Sequence, residues 1–262
     1  MHHERMILMT VQFYETPENI TAGTSLKDPN QALDGNLALH TGEDATLVNA
    51  NRQALAEALQ VGADQFVFAN QTHSKKAYQV KADDQGRGTK TTDDAIDDVD
   101  ALFTYEPNIV IGVFTADCVP VLFYDEDTGL IGAIHSGWKG TVQDVVSATF
   151  AQIKRKHPDI YMGNMKAILG PSIAQESFEV DQDVADQFKT LGYADDYIRW
   201  DDRRQKYLVD NQATVAEQLK RVGILADNIR LSDQDTLAMA DGFSYRLNKT
   251  PGRHFNFISR DS

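Results

Sequence analysis

The alternation of apolar and polar positions divides the chain into short strands and a few amphipathic helices. Thr16 to Thr46 is rich in Gly, Asn, Asp and Pro and predicts loops, closing in a short strand or turn at Asn36-Leu37-Ala38-Leu39-His40-Thr41-Gly42. Leu47, Val48, Leu55 and Leu59 recur at helical spacing, so Ala45 to Leu59 predicts a helix with Gly62 as its stop. Gln65 to Ala69 and Lys76 to Val80 predict strands around the turn Gln71-Thr72-His73-Ser74. Ile109 to Phe114 is a β-branched run of the kind found in strands buried on both faces. Val119–Tyr124 and Leu130–His135, joined through Asp125-Glu126-Asp127-Thr128-Gly129, predict a hairpin. From Thr141, a residue suited to an N-cap, the stripe Val142, Val145, Val146, Thr149, Phe150 and Ile153 predicts one continuous helix. It ends at about Lys156, where Lys154-Arg155-Lys156-His157 suits the negative end of the helix dipole and Pro158 stops the helix.

Lys166–Leu169 predicts a further strand, Val180–Leu191 and Asn211–Val222 predict helices, and Phe243–Arg246 and Phe255–Ile258 read as strand-like. Irregular alternation of the two element types indicates a mixed α/β or α+β class. No composition shift divides residues 1–262 into two cores, so the expectation is one domain over the whole length.

Charge narrows the picture. Lysine and arginine total 25 and aspartate and glutamate 39, a net charge of −14, which disfavours nucleic acid as a partner. A small anionic substrate is compatible with this only if a local basic pocket exists. No stretch approaches the ~20 apolar residues that a membrane span needs, and the N-terminal apolar stretch is too short for a signal peptide. These features read as a soluble, cytoplasmic protein without a membrane partner. The acidic crowd Asp93, Asp94, Asp97, Asp98 and Asp100 reads as a solvated loop. It lacks the glycine-then-glutamate arrangement of a calcium-binding EF-hand.

The chain has 1 cysteine, Cys118, which rules out an internal disulfide. It stands at the start of the hairpin in Ala116-Asp117-Cys118-Val119-Pro120, and His135 stands at the other end, before Ser136-Gly137-Trp138-Lys139-Gly140. An even loop would pair His135 with position 118 or 120 and put both side chains on one face; an odd loop would separate them. His73 is a third candidate, with His40 and His254 as rivals. Cys, His and His suit a zinc ion with three protein ligands and an open position; copper also accepts these ligand types. Spacing leaves two other readings open: Cys118 as a nucleophile activated by His135, or as an inert buried thiol.

A set of motifs adds to this. In order they are Asn51-Arg52, Gln71-Thr72-His73, Asp100-Ala101-Leu102, Thr115-Ala116-Asp117-Cys118-Val119-Pro120-Val121, His135-Ser136-Gly137-Trp138-Lys139-Gly140-Thr141, Gly170-Pro171-Ser172-Ile173, Ser244-Tyr245-Arg246 and Gly252-Arg253. With them the chain, from about Gly35 to Ile258, resembles the laccase-domain family, long described as multicopper polyphenol oxidases and now regarded as FAMIN-type purine nucleoside phosphorylases. The resemblance implies one compact α/β domain with mixed sheets. It implies zinc on His73, Cys118 and His135, which are also the catalytic centre. It implies phosphorolysis of adenosine, inosine and methylthioadenosine, with adenosine deamination, so purine nucleoside and phosphate are the expected partners. For the phosphate the candidates are Arg52, Lys139, Arg246 and the Gly137–Gly140 backbone, because developing negative charge needs aimed donors. Asp117 is a candidate base or ligand contact, or else orients neighbouring backbone. Many family members carry a Cys-Thr pair where this chain has Asp235-Thr236, so a second thiol is absent. Alternatives are an amidase editing peptidoglycan precursors and a copper polyphenol oxidase.

Overall fold

A computed structural model describes residues 9–249 and 252–262. Two mixed sheets pack face to face. The first is five-stranded, in the order β1 (Val11–Phe13), β2 (Ile20–Ser25), β14 (His254–Arg260), β6 (Val110–Thr115) and β3 (Phe66–Val67). The second is six-stranded, in the order β13 (Ile229–Leu231), β9 (Lys166–Leu169), β7 (Val119–Asp125), β8 (Leu130–Ser136), β5 (Ala101–Thr104) and β4 (Ala77–Gln79). The period-2 alternation of each strand assigns its side chains to layers. Ile111, Val113 and Ile258 of the first sheet meet Leu102, Leu122, Ile131 and Ile168 of the second in the apolar interior.

The opposite faces are covered by helices. Val121, Phe123, Ile134 and Leu169 pack beneath α3 (Val145–Lys156) and α5 (Asn211–Arg221). Phe114, Phe255 and Phe257 pack beneath α1 (Ala45–Ala58) through Leu55 and Ala56. A smaller sheet, β10 (Glu179–Val180), β12 (Lys206–Val209) and β11 (Ile198–Asp201), packs with α4 (Gln182–Lys189) around Phe188 and Val209. The class is therefore mixed α/β with helices flanking mixed sheets, as the resemblance implies. No helix among the described residues is long and apolar enough to cross a membrane.

Several elements depart from the sequence expectation for identifiable reasons. The predicted loop region Thr16–Thr46 contains β2, whose Ile-Thr-Ala-Gly-Thr-Ser sequence has little apolar alternation. Its Gly23 lets the ring of Phe257 approach, since a Cβ there would lie 2.8 Å from that side chain. The helix expected from Thr141 begins earlier, as α2 (Trp138–Val142), and breaks at Asp144. Asp144 adopts φ 58° and its carboxylate accepts the Ser147 N–H, so it starts α3 as a fresh N-cap. Helix α1 ends before Gly62, because Gln60 takes the left-handed conformation, φ 57°. Phe243–Arg246 forms a turn region rather than a strand.

Candidate metal centre

The hairpin register settles the parity that spacing left open. Val119 pairs with Ser136 and Pro120 with His135. Positions 118 and 120 share a parity, so Cys118 and His135 lie on the same face, the one turned toward the first sheet. His73 arrives from the turn before β4. One potential ligand atom from each of His73, Cys118 and His135 lies within 4.8 Å of the others. The two imidazoles stand edge to face with centroids 4.9 Å apart. Among the described residues this is the only such group. His135 is 4 % exposed, Cys118 is partly buried and His73 is exposed, so the cluster has a dry wall and an open side.

Each ligand is held by its own support. Gln71 exchanges two hydrogen bonds with the Phe114 backbone, donating from Nε2 to its oxygen at 2.9 Å and accepting its N–H at 2.7 Å. That clamp ties the Gln71-Thr72-His73 turn to β6. His73 itself has φ 60°, an uncommon backbone state outside glycine. Asp100, 1 % exposed, accepts the N–H groups of Thr72, His73 and Ser74 at 3.2, 3.1 and 2.6 Å. The same carboxylate lies 2.7 Å from His135 Nδ1. An Nδ1–H donated to Asp100 leaves Nε2 for the centre, the support that metal-bound histidines usually have. Asp100 thus corrects the reading of its acidic run as solvated: this member is buried and fixes both histidines. Its place directly before the apolar Ala101-Leu102-Phe103 was the available signal.

The charges agree with a ligand role. Burial alone would raise the Cys118 thiol, but the charge and hydrogen bonding of His135, aided by His73, outweigh it and lower the thiol. Burial alone would lower His135, yet the Cys118 charge and Asp100 raise it. Both shifts favour charge on the metal-free pair, negative on Cys118 and positive on His135, and a bound cation would replace that positive charge. Space is reserved too. A Cβ on Gly137 would lie 2.8 Å from Cys118 Sγ and 3.1 Å from His73 Cδ2, so only glycine leaves this cradle clear. Thiolate, two imidazoles, an open side and a supported histidine fit a zinc ion.

The other sequence candidates occupy varied places. Asp117, φ 81°, accepts Thr236 Oγ1–H at 2.8 Å and the Arg246 N–H at 2.6 Å, which fastens the 236–246 segment beside Cys118. Asp235 supports that segment as well, accepting the N–H groups of Ala174 and Leu237 at 3.2 and 3.1 Å. Arg52 is 8 % exposed; Nε donates to the Leu37 oxygen at 2.8 Å, and Nη1 to those of Gly88 and Thr89 at 2.6 and 2.9 Å. Its guanidinium stacks 4.0 Å above the Phe68 ring centroid. Arg246 gives Nη1 and Nη2 to the Glu179 oxygen, both at 3.1 Å. Lys139 is exposed on α2, with Nζ 5.6 Å from the Trp138 ring centroid.

Of the rival histidines, His254 is fully buried, accepting the Phe243 N–H at Nε2 and lying 2.7 Å from the Ser25 oxygen at Nδ1. Both its nitrogens are occupied by structure. His40 stands edge-on to Phe114, 5.7 Å between centroids. Burial, then the positive Arg253, His135 and Arg52, lower its imidazole to about 4.

Fold and site together define a mixed α/β protein with a candidate three-ligand metal centre at the open end of a β-hairpin. The chain belongs to the multi-copper polyphenol oxidoreductase laccase family, whose model matches residues 21–261. A purine nucleoside phosphorylase of Staphylococcus saprophyticus is 32% identical over 229 residues, covering 86% of this chain and 84% of the relative. The Bacillus subtilis purine nucleoside phosphorylase YlmD is 30% identical, covering 96% and 93%. Among solved structures, the Bacillus licheniformis hypothetical protein YfiH superposes with a TM-score of 0.90 at 27% identity over 98% of both chains. YlmD of Geobacillus stearothermophilus superposes with a TM-score of 0.87 at 26% identity, covering 97% and 100%.

Proposed function

We propose that the chain is a zinc-dependent purine nucleoside phosphorylase of the cytoplasm. In this reading it acts on adenosine, inosine and methylthioadenosine and also deaminates adenosine. The observation that carries the reading is a coincidence. Relatives named for this activity align along nearly the whole chain, and its single cysteine sits with two histidines in one open-sided cluster. His73, Cys118 and His135 would hold the ion, which supplies Lewis acidity toward an oxygen nucleophile. Copper accepts the same ligand types, but this one cluster has a single thiolate and an open position, the pattern of catalytic zinc.

The chain's own residues then divide the work. Asp100 holds His135 in the tautomer that offers Nε2. Asp117 keeps the 236–246 segment against the centre. Lys139 presents its charge to solvent at the rim, suited to drawing in an anion. Arg52 and Arg246 act on the substrate through the walls they brace, because the donors described above are engaged with carbonyls. Zinc-loaded protein incubated with adenosine, with and without phosphate, tests the proposal. Adenine formed only with phosphate, and lost in Cys118→Ala, supports it; inosine formed without phosphate supports deamination. Absence of both products overturns it.

One observation favours a second reading, a cysteine-dependent amidase on cell-wall precursors: the Cys118 thiol is lowered beside His135. Chelation separates the two, because a thiol nucleophile keeps its activity without metal and a zinc enzyme does not.

A further inference from the structure

We infer that Arg253, with His40 beside it, forms the subsite for free inorganic phosphate next to the His73–Cys118–His135 centre. This deepens the phosphorylase reading and rests on it. The position follows from strand register. His254 pairs with Thr115, so Arg253, one residue before β14, lies where β6 runs out toward Ala116-Asp117-Cys118. Its backbone is anchored independently of its side chain: the Arg253 N–H donates to Asn36 Oδ1 at 3.1 Å. The same oxygen accepts the Ala38 N–H at 3.0 Å, and Asn36 Nδ2 donates to Thr41 Oγ1 at 3.0 Å. The loop that carries His40 is therefore tied to the residue that carries the guanidinium.

Arg253 differs from the other arginines around the site in what its side chain has left to give. Arg52 spends three bonds on carbonyls, and Arg246 commits both Nη atoms to one. Arg253 gives Nη1 to the Gly252 oxygen at 2.9 Å and stands 5.7 Å from the Tyr245 ring centroid. Among the described residues its Nε and Nη2 make no hydrogen bond, and no carboxylate lies within ion-pair distance.

The guanidinium is half-buried, and the charges of Cys118, Tyr245, Asp117 and Glu43 reach it. His40 in turn feels Arg253, His135 and Arg52, so basic groups converge here in a chain of net charge −14. An uncommitted cation beside the centre is what a small anion needs to approach an acidic protein. A planar fork with donors unspent suits a tetrahedral oxyanion, and a neutral imidazole adds one more N–H.

The test uses the full zinc-loaded chain and the variants Arg253→Met and Arg253→Lys. Zinc content and melting temperature without phosphate check that each is folded. Calorimetric titration with inorganic phosphate, and separately with adenosine 5′-monophosphate, is paired with initial rates at varied phosphate and varied adenosine. Arg253→Met is expected to weaken phosphate binding at least about tenfold and to raise the KM for phosphate by a similar factor. The KM for adenosine is expected to stay unchanged, and Arg253→Lys to recover part of the loss. If Arg253→Met does not fold, Arg253→Lys carries the measurement, with phosphate affinity below that of the parent chain.

Phosphate affinity and KM unchanged in a folded variant overturn the inference and leave the phosphorylase reading standing. Arg253-dependent binding of the monophosphate, with inorganic phosphate ignored, overturns the assignment to free phosphate. Arg253-dependent phosphate binding in a protein that cleaves no nucleoside supports the anion subsite and overturns the phosphorylase reading.

Discussion

At the scale of single residues, the centre depends on groups that never touch a ligand. Asp100 receives three backbone N–H groups and faces His135 Nδ1, so it aligns two of the three candidate ligands at once. Asp100→Asn is expected to lower zinc affinity by about 10–100-fold while the chain stays folded, read by competition with a chelator. Gly137 has φ −68°, an ordinary value, so alanine there strains no backbone and acts by pushing a methyl toward Cys118 Sγ and the His73 ring. Gly137→Ala should purify with reduced zinc content, and the metal-free melting temperature should change little.

His254 carries a pH dependence. Burial holds its imidazole below the ordinary value, so the native ring is neutral. The unfolded imidazole gains a proton below about pH 6.5, which favours unfolding. This contribution is complete above that pH and is lost as pH falls through the depressed native value. In chelated protein the melting temperature should fall from pH 7 to pH 5. His254→Gln, less stable at pH 7, should show a shallower decline.

Among the elements, the break between α2 and α3 most affects how the site is built. Asp144 turns the chain through a left-handed state and recaps the helix, so α2 can start at Gly137 beside the ligands while α3 lies over the sheet. Asp144→Ala loses the cap and strains the left-handed position. It should cost about 1–2 kcal/mol of stability, measured by urea unfolding. The apolar stripe was legible as helical, but its break was not: Val142 of α2 packs with the cluster around Phe188, while Val145, Val146, Phe150 and Ile153 of α3 pack over the second sheet, and spacing does not separate the two. The hairpin β7–β8 was legible nearly to its ends. Strand β2 was not, because its burial comes from small residues fitted against Phe257 and β14 rather than from an apolar pattern of its own.

Across the whole molecule, the apolar interior is complete without the metal. The packed sheets and their helices bury their clusters away from His73, Cys118 and His135. Chelated protein should therefore stay folded, with a cooperative melt at a temperature below that of the zinc-loaded form, as expected when a ligand binds only the native state. A chain unfolded by chelation would instead make the ion part of the folding core.

Local period and residue chemistry carried the mixed class, the central hairpin, most helices and the pairing of Cys118 with His135 as candidates, while the choice of His73 over His40 and His254 came from the family resemblance. The fold alone decided that His135 stands opposite Pro120 and so shares a face with Cys118, and that Asp100 leaves its acidic run to hold the histidines. It also decided that Arg52 spends its donors on carbonyls while Arg253 commits only Nη1 among the described residues. Each of these depends on strand register and on which distant backbone lies alongside, and neither is written in the spacing of one segment.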